Sequence, residues 1–462
     1  MVVAVEESSA RMTIAPRAMT AIRSVLAAAV LAAVALGIGW RSLDYEWHWD
    51  DLHLIRPYSA VEVAKSLVGT WDPDNIETKG FRPGTVIFND IRARLFGESV
   101  RGHRVFLVLL FSAYLASLGA LVGRLGGPWW VGLLAGILTL CSKNSFYHYV
   151  WIADGVHLVP ALAFVAAAHL LLAYLDRGAG ALAALSAVLM MLGLAAREDA
   201  LALYPVLVVI GVAYLRLFGR PRGAYVRLAQ HAGLLAVTFL LIWVWRLITV
   251  PSAPNFRVNR LVVDGLLTHV HWTMCLSGQA GTAPNWFVAA CAILCVIAMF
   301  LPRTQRLHSL MWLALAAISC LPGAVRIRPN LLLFPISFYA IFVMLVVAGI
   351  ARTSRTAAAI ALMVVAVAAG VSVRANRLEQ LSLHPMSSNH IFRDWQAVYS
   401  RIRFSTIPPD RERATRAALA RFGIVDDTFD FKRWERGLRQ QGRVGVIEDG
   451  GPFVPEKRFL TP

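Results

Sequence analysis

The chain has 462 residues, of which 57% are apolar and 16% are charged. It is too apolar for an ordinary soluble protein and too long for one small domain. Its net charge of +17 is carried mainly by arginines in loops. No zinc-finger spacing or RNA-binding signature accompanies that charge, so we expect the partners to be the membrane and its anionic lipids and not nucleic acid.

Hydropathy predicts an all-α polytopic membrane protein, because many segments reach the roughly 20 apolar residues that cross a hydrocarbon core of about 30 Å. About eleven transmembrane helices are expected. They lie near 20–40, 104–123, 128–142, 156–175, 181–196, 200–217, 231–250, 285–301, 309–322, 331–350 and 356–373.

Loop charges orient these segments. With the N-terminus in the cytoplasm, the short basic loops that carry Arg124, Arg177, Arg220 and Arg352 all lie inside, as the positive-inside rule requires. The long polar segments and the C-terminus are then extracytoplasmic. The chain divides into a transmembrane domain (1–373) and a small extracytoplasmic C-terminal domain (374–462). Richness in Ala and Arg suggests the plasma (inner) membrane of a bacterium.

The first outer loop (41–102) carries the most informative stretch, Trp47-His-Trp-Asp-Asp-Leu-His53. Asp50 and Asp51 stand where the first helix leaves the membrane, and an aspartate ionised at neutral pH can act as a general base. A solvated loop or a helix cap is the plainer interpretation. Farther along the loop, 58–71 and 85–96 have apolar positions at helical spacing, which predicts two amphipathic surface helices, with Arg92 and Arg94 on a polar side.

Other hairpins deliver further ionisable groups to the same side of the membrane. Three arginines could bind the phosphate of a lipid-bound donor, because a guanidinium group forms paired hydrogen bonds with a phosphate. They are Arg82, Arg197 and Arg328. Residues that could hold a metal ion or the acceptor are His148, Asp154, His157 and Glu198. The plainer interpretations are structural histidines and, in the turn Arg197-Glu-Asp199, a mutually neutralising Arg197–Glu198 pair. Charges facing lipid are costly, so a shared polar cavity is expected.

Four short motifs, in order, resemble the type-C glycosyltransferase superfamily of polyprenyl-phosphate-sugar enzymes, and most closely its protein O-mannosyltransferase-like branch. They are Trp49-Asp-Asp-Leu-His-Leu-Ile55; Phe81-Arg-Pro-Gly followed by Leu95-Phe-Gly-Glu-Ser-Val-Arg-Gly-His103; Val150-Trp-Ile-Ala-Asp; and Ala195-Ala-Arg-Glu-Asp-Ala-Leu-Ala-Leu-Tyr-Pro205. More weakly, Arg328-Pro-Asn-Leu-Leu-Leu-Phe-Pro335 resembles a later family stretch.

The resemblance implies an inverting transfer of a sugar from a polyprenyl-phosphate lipid to a glycan, lipid or protein acceptor. The catalytic aspartate would be Asp50, with Asp51 adjacent. The family's second outer loop usually offers two acids, whereas this chain has histidines there, so a divalent cation (Mg²⁺ or Mn²⁺) stays open. Two other functions also remain open: a flippase or transporter for lipid-linked glycans, and a glycan polymerase or ligase.

Overall fold

The structure is a computed structural model, and it describes residues 22–44, 54–55, 57–69, 80–97, 99–250, 260–274, 285–324 and 329–388. Within these ranges the regular elements are α-helices and short 3-10 turns, and no strand occurs. The predicted all-α class is therefore confirmed. Of the predicted C-terminal domain (374–462), residues 389–462 lie outside the described residues, and residues 374–388 belong to the last described helix.

The longer helices are numbered here in chain order. They are α1 (Ile22–Leu43), α2 (Ala60–Val68), α3 (Pro83–Phe96), α4 (Val100–Arg124), α5 (Trp129–Cys141), α6 (Leu158–Arg177), α7 (Gly180–Ala196), α8 (Leu203–Leu217), α9 (Arg222–Thr249), α10 (Arg260–Met274), α11 (Asn285–Phe300), α12 (Arg303–Ser319), α13 (Leu333–Thr353) and α14 (Arg355–Ser388).

Seven helices of the described chain are long and apolar enough to cross a membrane, which confirms a polytopic membrane protein. They are α1, α4, α6 with its preceding turn, α8 with its preceding turn, α9, α13 and the first part of α14. Every one of the eleven predicted segments overlaps a helix. However, α5 and α7 are shorter apolar helices, and α11 and α12 have 16 and 17 residues. A helix of that length covers only about 25 Å.

Helix α13 forms the centre of the bundle. Its apolar window is 94% buried, whereas the corresponding windows of α1, α9 and α14 are 17%, 11% and 17% buried. Aromatic rings surround α13, since Phe338 packs against Phe164 and Trp312. In lipid such helices associate through van der Waals packing. We expect the poorly buried helices to present their apolar side chains to lipid.

Both predicted helices of the first outer loop are present. A capping box begins α2, in which the Ser59 hydroxyl accepts from the amide of Glu62 and the Glu62 carboxylate accepts from the amide of Ser59. The prediction for Arg92 was wrong, because this side chain is fully buried whereas Arg94 is 58% exposed. Helix α3 thus packs on the bundle through the side that carries Arg92.

The loops gather at two ends of the bundle. At one end, Asp176 accepts from Arg220 at 2.7 Å and lies 3.9 Å from Arg124, so the loops that follow α4, α6 and α8 lie together. The other end, which we name the outer end, holds α3, the 143–157 loop and the turn between α7 and α8. This grouping agrees with the predicted alternation of loops. Which end faces the cytoplasm remains a prediction.

Candidate functional site at the outer end of the bundle

Two buried arginines fix the 143–157 loop at the outer end. Arg104 of α4 donates from Nε to the carbonyl of Val150 at 2.9 Å and from a terminal nitrogen to the carbonyl of Leu43 at 3.4 Å. Arg92 of α3 donates to the carbonyl of Ile152 at 2.9 Å. Hydrogen bonds to charged donors are stronger than neutral ones. The end of α1, the start of α4 and the loop are therefore held as one unit.

The start of α3 docks on the turn that follows α7. A Cβ atom at residue 84 would lie only 2.9 Å from the Ala196 backbone. The two segments can therefore approach this closely only because residue 84 is glycine. The Thr85 hydroxyl donates to the carbonyl of Ala196 at 2.7 Å. Beside this contact, Arg82 donates from Nε to the Glu198 carboxylate at 2.5 Å. Two predicted site residues, distant in sequence, thus form one ion pair.

The turn 197–199 sends its three charged side chains to different partners. Arg197 is extended, and a 3-10 turn begins at Glu198. Glu198 pairs with Arg82, while the Arg197 guanidinium donates from Nε to Asp199 at 3.0 Å. The alternative of a mutually neutralising Arg197–Glu198 pair is therefore wrong. The sequence analysis placed Asp199 in this turn but did not nominate it as a site residue.

A buried chain of ionisable groups joins this turn to the 143–157 loop. His157 lies between two carboxylates, with Nδ1 3.2 Å from Asp199 and Nε2 3.3 Å from Asp154. His148 lies on the far side of Asp154, at 3.7 Å. The side chains of both histidines are 1% exposed. The structure thus brings together Arg82, Arg197, Glu198, His148, Asp154 and His157.

His148 is held in its neutral form. Burial lowers its pKa from the ordinary value of 6.5 to about 3, although the nearby Asp154 carboxylate acts in the opposite direction. Its ring packs edge-on against Phe111 and against His157. A neutral ring in an aromatic environment suits a packing role at the edge of the ionic chain.

This lowered pKa predicts acid sensitivity. Between pH 6.5 and about 3 the unfolded chain binds a proton at residue 148 that the folded chain does not bind. Stability must therefore fall as the pH falls through this window, by up to about 1.4 kcal/mol per pH unit from this group. Thermal unfolding of purified protein at pH 7 and pH 5 should show a smaller acid-induced loss for His148→Gln than for the wild type. Equal losses would contradict the assignment.

The described residues contain no group of three or more His, Cys, Asp or Glu side chains placed to hold a metal ion. In the ionic chain both His157 nitrogens face carboxylates of the protein itself. A histidine binds a metal ion through the lone pair of an unprotonated ring nitrogen. The His148, Asp154, His157 and Glu198 set therefore does not fit a divalent cation by itself, and such a cation remains a prediction that depends on Asp50 and Asp51.

Asp50, Asp51 and Arg328 lie outside the described residues. The residues that flank the aspartates are anchored at the outer end. Leu43 accepts from Arg104, and after the undescribed residues Leu54 accepts from the Tyr58 hydroxyl at 2.9 Å. The amide of Tyr58 in turn donates to Asp90 of α3 at 2.7 Å.

No protein-family model matches the chain, and no curated protein matches it. Among solved structures, the fold is similar to the archaeal oligosaccharyltransferase AglB from Archaeoglobus fulgidus, determined in complex with an inhibitory peptide and a dolichol-phosphate. The identity is 11% and the TM-score is 0.43, and the match covers 94% of this chain and 61% of that chain. The chain thus spans about three fifths of that protein.

Proposed function

We propose that the chain is a membrane glycosyltransferase. It would move a sugar from a polyprenyl-phosphate donor to a glycan, lipid or protein acceptor at the extracytoplasmic face, with inversion, as in the O-mannosyltransferase-like branch. One observation carries the proposal: six site residues chosen from sequence, which come from three separate segments, meet at one end of the bundle. Ionisable groups brought together in a buried cluster with shifted pKa values are typical of functional sites.

Asp50 would be the general base, with Asp51 beside it. The chain length supports this role. Leu54 is anchored at the outer end through Tyr58, and Asp50 is four residues before it, so at most about 14 Å separates their Cα atoms. In the reaction, the carboxylate takes the proton of the acceptor hydroxyl. The acceptor oxygen then bonds to the anomeric carbon while the bond from that carbon to the phosphate oxygen breaks. The phosphate leaves as a stable anion, so a general acid is unnecessary.

Arg82, Arg197 and Arg328 would bind the donor phosphate. Arg82 and Arg197 both lie at the outer end and each uses its Nε atom for a carboxylate of the turn. Arg328 directly precedes Pro329, whose 3-10 turn packs against the 143–146 turn of the outer end. Guanidinium groups suit phosphate because they donate several hydrogen bonds in a fixed plane. A divalent cation at Asp50 and Asp51 could add to this charge stabilisation.

The lipid product tests the proposal. Purified protein in vesicles, supplied with polyprenyl-phosphate sugar labelled in the sugar and with membrane extract as acceptor source, should release a polyprenyl monophosphate as labelled acceptor accumulates. The reason is that the bond between the anomeric carbon and the phosphate oxygen is the one that breaks.

Boiled protein and the Asp50→Asn variant are the controls. With a lipid-diphosphate glycan as donor instead, release of a diphosphate carrier would contradict the proposal and favour a polymerase or ligase. Movement of intact donor across the vesicle membrane without covalent product would contradict it in favour of a transporter.

A further inference from the structure

We infer that His157 is a positioning residue, which holds Asp199 so that the Arg197 guanidinium points its terminal nitrogens at the phosphate of a polyprenyl-phosphate lipid. The inference deepens the proposed function and depends on it for the identity of the ligand. It rests on the chain of contacts from Asp154 through His157 and Asp199 to Arg197.

The two oxygens of the Asp199 carboxylate contact two different basic side chains, those of Arg197 and His157. Its Oδ1 atom accepts from Nε of Arg197 at 3.0 Å, and its Oδ2 atom lies 3.2 Å from Nδ1 of His157. The other ring nitrogen of His157 lies 3.3 Å from Asp154. A neutral imidazole has one donor and one acceptor nitrogen, so it would turn a lone pair towards one of these carboxylates. Only the doubly protonated ring suits both neighbours.

Arg197 keeps its terminal nitrogens available. In the part of the chain that the structure describes, its Nε atom is paired with Asp199, and neither Nη atom donates to a protein acceptor. The side chain is 13% exposed, so it reaches solvent at the surface of the site. A guanidinium fixed through Nε presents its two terminal N–H groups in one plane, which is the arrangement that binds a phosphate through two parallel hydrogen bonds.

His157 also adjusts the charge at this position. An Asp199 carboxylate paired with Arg197 alone would neutralise the guanidinium and repel an incoming phosphate. Because the imidazolium shares the same carboxylate, part of the Arg197 charge remains for the anion. His157 would therefore support phosphate binding through orientation and through charge without touching the lipid.

The test is the binding of undecaprenyl monophosphate, which carries no sugar, to the full-length chain in detergent, with undecaprenol as the lipid without phosphate. We expect Arg197→Gln and His157→Gln each to weaken binding of the monophosphate by about tenfold, the scale of one charge-assisted hydrogen bond, and to leave undecaprenol binding unchanged. In the Arg197→Gln background, His157→Gln should have no further effect, because both act on one contact. In transfer assays, His157→Gln should raise the donor KM more than it lowers kcat.

His169→Gln is the matched control, since His169 lies in α6, which begins directly after His157, and its ring nitrogens face Arg124 and the carbonyl of Ser117 instead of the site. Should His157→Gln not fold, His157→Ala replaces it, because the smaller side chain leaves room for water beside Asp199 and also breaks the link. Additive losses in the double variant, or unchanged monophosphate binding in the folded His157 variant, would overturn the inference. Binding requires no sugar transfer, so absence of transferase activity with intact coupling would refute the proposed function alone.

Discussion

Replacing Asp50 with Asn is expected to lower the rate of sugar transfer at least about a hundredfold, the lower end of what a general base contributes. The amide cannot accept the proton of the acceptor hydroxyl, so the nucleophile is left unactivated. The change keeps the size and shape of the side chain, and it removes one negative charge close to the donor phosphate. Donor binding should therefore be retained or slightly tighter, and the loss should appear in kcat.

Asp51→Asn is the matched control for this experiment, because it makes the same change of charge one residue away. The measurement is transfer to acceptor in vesicles with equal amounts of folded protein. We expect the loss of kcat to be much larger for Asp50→Asn than for Asp51→Asn. Unaltered transfer in both variants would remove the catalytic assignment. A loss confined to Asp51→Asn would move the base by one residue.

Reversing the charge at Arg82 is the second change with a large expected effect. Arg82→Glu places two carboxylates where the ion pair with Glu198 now lies, and like charges in contact repel. The start of α3 should then detach from the α7–α8 turn, and a phosphate-binding guanidinium is lost. We expect a lower unfolding temperature and a loss of transfer of about a hundredfold, the scale of removing one preorganised electrostatic contact.

The double variant Arg82→Glu with Glu198→Arg separates the two roles of Arg82. It restores an ion pair of opposite polarity, so the unfolding temperature should recover. Transfer should stay low, because the guanidinium would now project from the turn instead of from α3. Full recovery of transfer would show that Arg82 only anchors α3. An unchanged unfolding temperature in the single variant would contradict the importance of the pair itself.

The helical fold could be predicted from the sequence because hydropathy depends only on neighbouring residues. Each predicted apolar segment overlaps a helix, and even the first outer loop has its two helices near the expected positions. The error at Arg92 has a simple cause. Helical spacing assigns a charged residue to the polar side, but the carbonyl of Ile152, which no local pattern reveals, accepts from this guanidinium in the interior.

The sequence predicted most residues of the site but not how they pair with one another. Residue types near helix ends indicated Arg82, Arg197 and Glu198, but the pairing of Arg82 with Glu198 depends on how α3 docks. Asp199 was missed as a site residue because its importance comes from His157, which lies in a different hairpin. The run Arg197-Glu-Asp199 offers two acids to one base, but the acid that finds its partner elsewhere is Glu198, which pairs with Arg82, so the run gives no signal for the contact between Asp199 and His157.

The most direct test of the central claim is an experimental structure of the full chain with a bound polyprenyl-phosphate sugar. The account predicts that the phosphate lies within hydrogen-bonding distance of the Arg197 guanidinium. It also predicts that the carboxylate of Asp50 or Asp51 faces the anomeric carbon in the same cavity. Aspartates turned into open solvent, with the phosphate bound away from the outer-end arginines, would contradict it.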